Sequence, residues 1–493
     1  VGDYTEPKDS ITGLFVEIGT SSADRFNVAR FTIGNNSHID ITGNANEYDI
    51  IGLQVESGIE LYEKKSDAIV EANIGDNTTF NITNLNKDGD NVDDDNVGGA
   101  IGANAFQALA TINLGKDITI NTTSNGRSRS VGADLGGKVV ADKGLNIHSE
   151  SKGGNAFAIY AWNISDPTER LRSTVILNGA NLTAKANNSG NPFAINAWAG
   201  GQVVGNEGVY HIDGYITSET YNDLSSNIDM TFDSGSTIKG ASVYEKGSII
   251  NFDLKGTTWD ITSNSNITNL TFSDEDSVIN FVADDYAFLN IDTLSGNGGL
   301  FNLRTSIAEN KGDYLYIING SGKHKLGVKD SGVEITKPEE TTLDLVSDYS
   351  GGATFNLAKI DGVNIDAVDG GTYLYYLHDR DENGEKTWYL SAEKQIDPDP
   401  TDPNPIDPTP PILETTPSTD AVISLASAPQ LIMANEMNNL RFRKGSIKAN
   451  AESAGVWGRV IGDSTKIKEG PAHFDLEQMG LEIGADTVLT LDS

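Results

Sequence analysis

Apolar and polar residues alternate along most of this chain in runs of four to six positions, broken by Gly, Asn, Asp and Ser. "NFDLKGTTWDITSNSNITNLTFSDEDSVINF" (251–281) is representative. Alternation with period two predicts strands with one buried face, and the breaks predict turns that accept positive φ. The runs also repeat. "TIGNNSHIDIT" (32–42), "NIGDNTTFNIT" (73–83) and "NLGKDITINTT" (113–123) align on Gly34, Gly75 and Gly115, and each is followed by a small-residue strand, "IGLQV", "IGANAF" or "VGADL". "FAIYAW" (157–162) returns as "FAINAW" (193–198). A unit near 40 residues holding two strand clusters predicts an all-β solenoid, a right-handed parallel β-helix whose coils each add three short strands. At about 20 to 25 residues per coil and about 4.8 Å per coil, residues 1–300 predict a rod some 60 Å long. Stacked Asn, Thr and Ser predict polar ladders on its outside. Tandem β-sandwiches would instead show boundaries about every 100 residues.

Composition narrows the function. Among 493 residues, 71 acidic side chains face 35 basic ones, a net charge of −36 that excludes phosphate-backbone binding and hence a nucleic-acid partner. A hydrophobic content of 37% argues for a folded chain. The absence of cysteine fits a polypeptide that must not cross-link during export. "VGDYTEPKDS" at the start has neither a basic nor an apolar region of a signal peptide, so an exported protein would be read here without its signal. No apolar run approaches the roughly 20 residues of a membrane helix.

The search for chemistry yields little. "FDSGST" (232–237) carries part of the frame around a catalytic Ser234, but a triad also needs a base held by a carboxylate. His38, His148 and His211 are the upstream bases on offer, each in an ordinary strand context. "NKDGDNVDDDN" (86–96) fails the calcium-loop pattern, lacking Gly at its sixth position and Glu at its twelfth, and reads as a solvated loop. No phosphate loop or paired zinc ligands occur, so no catalytic, cofactor or metal residue is assigned.

Residues 286–391 change character. Gly-Asp-Tyr-Leu, Gly-x-His-x-Leu, Ala-Thr-Phe-x-Leu, Gly-Thr-Tyr-x-Tyr-x-Leu and Trp-Tyr-Leu follow in order, with Tyr314, Tyr316, Tyr373, Tyr375, Tyr376, Trp388 and Tyr389 concentrated among them. This stretch resembles the autochaperone region of pertactin-like autotransporter passengers, and bulky strands there would cap the open end of a solenoid. "DPDPTDPNPIDPTPP" follows, an extended spacer with eight Pro between 398 and 417. Residues 418–450 then reverse sign, with four basic residues against two acidic. Ser427 as cap, Pro429 in the first turn and Gly445 at the end predict a helix over 428–444, about 25 Å long and too polar to face lipid. "EMNNLRFRKGSIK" resembles the pore helix of autotransporter translocators, and "SAGVWGRVIGD" and "FDLEQMGLEIGAD" resemble their first two barrel strands.

The resemblance implies five regions: a passenger β-helix at 1–300, a cap at 301–395, a Pro-rich linker at 396–417, a pore-helix segment at 418–450 and the start of a truncated barrel at 451–493. It further implies a non-enzymatic, surface-displayed adhesin or self-associating protein of the bacterial outer membrane. Partners would be a host cell-surface protein or glycan, or like molecules on neighbouring bacteria. The alternative is a secreted hydrolase using Ser234. In part of the family a paired Asn in the pore helix is cut, which would make Asn438 and Asn439 a self-cleavage pair. The Asn438 side-chain amide nitrogen attacks its own backbone carbonyl, closes a succinimide and expels the Asn439 amine. A barrel carboxylate assists. The 493-residue chain, holding little of a barrel, is expected to stay intact there.

Overall fold

A computed structural model describes residues 11–17, 28–45, 48–57, 69–85, 98–163, 172–187, 190–358, 366–382, 384–394, 413–444 and 455–486, with the backbone alone for 436, 438–444, 455, 457 and 469. The acidic loop 86–96 and most of the Pro-rich linker therefore lie outside the described residues.

Each turn of the chain contributes a strand to each of three sheets. Ile50–Glu56 joins the first, Ile69–Ile74 the second and Thr79–Asn84 the third, and Ala100–Phe106 returns to the first. Neighbours within every sheet are parallel, as in Ile50↔Ala100, Val70↔Ala110 and Thr79↔Thr119. This is a parallel β-helix. The predicted repeat sets its register: Gly75 N–H donates to Ile33 O, and Gly115 N–H to Ile74 O, both at 2.9 Å. Two residues beyond each of the three repeat glycines stands Asn36, Asn77 or Asp117, all at positive φ, and short polar side chains tolerate that region best. One 40-residue repeat is thus one coil; it does not hold the two coils that its two strand clusters suggested, because the chain between strands adds length without adding a strand. Later coils shrink, and Val278 pairs with Leu300.

The core is one continuous column. Ile112, Ile120, Val139, Leu182, Phe252 and Trp259 are buried in it from the second and third sheets, and Leu53, Ala103, Ala105, Val131, Ala133 and Ala161 from the first. Small residues on the first sheet bring its backbone close: a Cβ on Gly52 would stand 2.5 Å from Gly102 O and 2.7 Å from Ile82 Cδ1. Outside, amide ladders run along the rod, Asn121 to Asn81 at 2.8 Å, Asn113 to Asn73 at 2.9 Å, and Asn302 to Asn280 at 2.7 Å. Each satisfies a polar group with its counterpart one coil away.

The first sheet stops at Ser242–Tyr244, and two strands per coil continue beyond it. The architecture does not change at residue 301. Parallel pairing runs on through Leu315↔Val346 and Gly322↔Ala353, since Leu315, Ile317, Leu326 and Val328 still alternate inward as in a regular coil. A short antiparallel ladder, Thr305↔Gly312 and Ser306↔Lys311, lies beside this stack, and antiparallel order takes over where Glu385–Ser391 pairs with Thr342–Asp348 on one side and Leu374–Glu382 on the other. There Trp388 meets Phe355 edge-on at 5.0 Å and, with Tyr375 and Leu390, closes the core.

Beyond the linker the chain returns to this closing layer. Leu413 and Thr415 bridge Glu393 and Tyr373, Leu374 N–H donates to Glu414 O at 2.8 Å, and the Glu414 carboxylate accepts from Tyr376 and from Lys394. A helix follows, Pro417–Lys444, 28 residues long. It starts well before Ser427 because Thr416 caps it, its Oγ1 accepting from Thr419 N–H at 3.3 Å and donating to Gly371 O at 2.8 Å. Pro429 is inside the helix, and the Ser427 hydroxyl donates back to Ile423 O at 2.8 Å. Gly455–Glu469 and Ala472–Asp486 then pair antiparallel over 15 residues each. Val456, Val460, Met479, Leu481 and Ile483 share one exposed face, while Arg459, Glu482, Asp463 and Gln478 share the other. Asn435 on the helix donates to Asp463 Oδ2 at 2.5 Å and Gln478 Oε1 at 2.8 Å, so the helix lies on the polar face.

Candidate functional site

The hydrolytic candidates do not come together. Ser234 sits in an exposed turn whose N–H donates to Asp233 Oδ1 at 2.8 Å, and that carboxylate pairs with Lys255 at 3.0 Å. The His211 ring bonds Thr237 Oγ1 at 2.9 Å, His38 lies 2.8 Å from Asp40, and His148 lies 3.8 Å from Glu150. Each imidazole is one rung of a surface ladder, and no serine–imidazole–carboxylate relay forms among the described residues. Nor do those residues gather three metal-ligating side chains. The backbone of Asn438 and Asn439 is helical; their side chains are outside the described set.

What the fold does assemble is the outward face of the first sheet. Strand alternation turns Leu53, Ala103, Val131 and Ile159 inward and presents their neighbours outward. Register stacks these neighbours in columns. One runs Gln54, Asn104, Gly132, Tyr160, Asn196 and Thr217; another runs Glu56, Phe106, Asp134, Trp162, Trp198 and Glu219. A third column brings Arg129 beside Phe157 and Phe193.

The geometry of this face is tight. Trp162 and Trp198 stack at 5.7 Å and 9°, Phe157 and Phe193 at 5.0 Å and 14°, and Tyr221 closes on Trp198 at 5.2 Å. The Arg129 guanidinium lies 4.4 Å from the Tyr160 ring centre. Asn196 donates to Thr217 Oγ1 at 2.6 Å and Glu219 Oε1 at 2.7 Å. Asn104 is only 6% exposed and Asp134 4%, yet Asn104 Oδ1 and Asp134 Oδ1 have no hydrogen-bond partner. Asn104 has room only because its rung above is glycine: a Cβ on Gly132 would come 2.6 Å from Asn104 Oδ1. Burial pushes the Asp134 carboxyl above its ordinary range, with Arg129 and Asn104 pulling the other way. Burial also raises Glu219, against its hydrogen bonds from Thr217 and Asn196. These two acids stand three rungs apart, about 14 Å at ladder spacing. Paired glycosidase carboxyls stand about 5 to 9.5 Å apart.

The sequence reading picked out "FAIYAW" and "FAINAW" as a repeat but missed this site. The visible "IG"/"VG" match lines up Gln54, Asn104 and Asp134, but Val131 pairs with Ala103 rather than with Ile101, so Gly132 stands on Asn104 and Asp134 on Phe106, and no local pattern shows which of these side chains are buried without partners.

Comparison with known proteins places the chain in a class. Residues 269–392 match the Pertactin family model. The Autotransporter CRAC of Citrobacter rodentium is 40% identical over 41% of this chain and 12% of its own length. The Autotransporter adhesin/invasin TibA of Escherichia coli is 28% identical over 49% of this chain and 28% of its own, and the Pertactin autotransporter of Bordetella bronchiseptica 30% over 46% and 27%. The chain therefore spans under a third of the length of each of these relatives. Among solved structures, the Haemophilus influenzae Hap adhesin aligns at 14% identity with a TM-score of 0.30, over 73% of this chain and 48% of that one; the fold assignment rests on the strand register instead. The fold is a parallel β-helix. Within it, residues 269–392 are similar to pertactin, and the relatives that share sequence with the chain are autotransporters.

Proposed function

We propose that this passenger is an adhesin or a self-associating protein, presenting a rod-like binding surface to a host cell-surface protein or glycan, or to like molecules on neighbouring bacteria. The observation that carries the reading is the outward face of the first sheet, where aromatic and amide columns are held in register with unpartnered buried acceptors among them. TibA carries "adhesin/invasin" in its own name, which agrees. Expression of the full-length protein in a non-adherent, non-clumping strain tests it. Adherence to epithelial cells or accelerated settling is the expected result; neither, with expression at the surface verified, overturns it.

We also infer that the hairpin 455–486 is the start of an outer-membrane barrel with Pro417–Lys444 in its lumen. An apolar outer face backed by a polar face against a polar helix is the pattern such strands need. Together with the β-helix, its closing layer and the linker, this keeps the five-part organisation, with the cap beginning at the antiparallel strands. Self-cleavage between Asn438 and Asn439 belongs to the complete barrel. Mass spectrometry of shed passenger should find a C-terminus at Asn438, and unchanged shedding of Asn438→Asp removes the proposal.

A further inference from the structure

We infer that the outward face of the first sheet around Gln54, Asn104, Asp134 and Trp162 is a carbohydrate site, one that takes a neutral, hydroxyl-rich oligosaccharide. The inference rests on the adhesin reading and names the ligand class and the place.

The unpartnered atoms decide the chemistry. Asn104 Oδ1, Asp134 Oδ1 and Gln54 Oε1 are all acceptors, buried and unpaired, on three successive coils. Leaving a buried acceptor unpaired is costly, so a fold that keeps three of them in one place holds them for a donor it does not itself contain. Sugar hydroxyls are such donors, and they recur along an oligosaccharide as these acceptors recur along the ladder. One indole N–H, Trp162 Nε1, is also buried without a partner and supplies a donor for a ring or glycosidic oxygen. Half-buried aromatic edges from Phe106, Trp162 and Trp198 line the same face, giving the apolar contact that pyranose C–H groups require.

Charge selects among sugars. With a net charge of −36, and Asp134, Glu56 and Glu219 on the face itself against Arg129, sulfated or sialylated glycans are repelled. A metal ion is the other guest for an acceptor cluster, but two of these three oxygens are amide carbonyls and the walls are aromatic, which suits a polyol better than a hard cation.

The test uses the intact 493-residue chain on an array of immobilised neutral, sialylated and sulfated oligosaccharides, with titration against the best neutral hit. Asn104→Ser and Asp134→Asn change little volume and should each weaken binding about tenfold, while Asn121→Ala on the third sheet should bind as wild type; circular dichroism verifies that all three fold. A structural role alone predicts that both face variants bind as wild type, and that result overturns the site. Binding restricted to anionic glycans, or lost only on chelation of divalent ions, also overturns it. Cells treated with periodate or with protease separate the two readings. Loss of adherence on protease treatment alone, with no array binding, leaves the adhesin reading standing and removes the carbohydrate site. No adherence to untreated cells removes the adhesin reading itself.

Discussion

Asp134 shows what the site costs the fold. Its carboxyl is nearly sealed from water, and burial raises its pKa above the ordinary 3.8, against the pull of Arg129. A carboxyl whose pKa is raised by folding destabilises the native state increasingly as pH rises from the unfolded value through the folded one. The melting temperature of Asp134→Asn should therefore exceed that of wild type by a margin that widens between pH 4 and pH 8; a constant margin would show that Arg129 compensates fully. Higher stability with weaker glycan binding is the expected pair of outcomes, the usual trade at a binding residue. His324 gives the opposite slope. It sits among Phe272, Phe301 and Phe355, with one ring nitrogen 3.0 Å from Ser321 O, and burial lowers its pKa below 6.5. An imidazole kept neutral by folding leaves stability intact above about pH 6.5 and removes it as pH falls below that value. Thermal melts from pH 7 to pH 5 should decline less steeply in His324→Phe than in wild type.

At the scale of elements, the rungs of the second and third sheets were legible in the sequence and the face of the first was not. Gly34, Gly75 and Gly115 with their Asn or Asp two residues on announce a turn by local chemistry alone, and the strands after them follow. The closing layer was legible as a run of aromatics, but its strand directions were not, because Leu315 and Ile317 alternate like any coil strand and only pairing partners reveal where direction reverses. The helix was placed late for a related reason: Ser427 is a good cap in isolation, yet Thr416 is held by Gly371 of the closing layer, a contact no local pattern contains. Pairing across coils carries what residue patterns omit. The same dependence makes large core residues expensive to remove. Trp259 is fully buried, its indole N–H donating to Gly240 O at 3.0 Å and its edge on Phe252 at 5.4 Å. Trp259→Ala should cost about 3 to 5 kcal/mol in chemical denaturation; a loss below about 1 kcal/mol would mean that neighbouring coils collapse into the gap.

The whole molecule is a stack in which the inter-coil hydrogen bonds point along the rod, and its coils differ in length, the first being among the longest. Ile33 pairs with Ile74, 41 residues on, whereas Val278 pairs with Leu300, 22 residues on. This has a mechanical meaning. Tension applied between the two ends of the rod pulls those bonds apart end-on, so coils should peel one at a time rather than yield together. Each early coil would release about 140 Å of slack and the Val278 coil about 75 Å, at roughly 3.4 Å per extended residue. Force spectroscopy should trace a sawtooth whose stride is shortest in the middle of the rod, where Asn251 pairs with Asn269, and lengthens again toward the closing layer, where Leu315 pairs with Val346. A passenger built this way absorbs a tug in instalments, giving the most length where it first lets go.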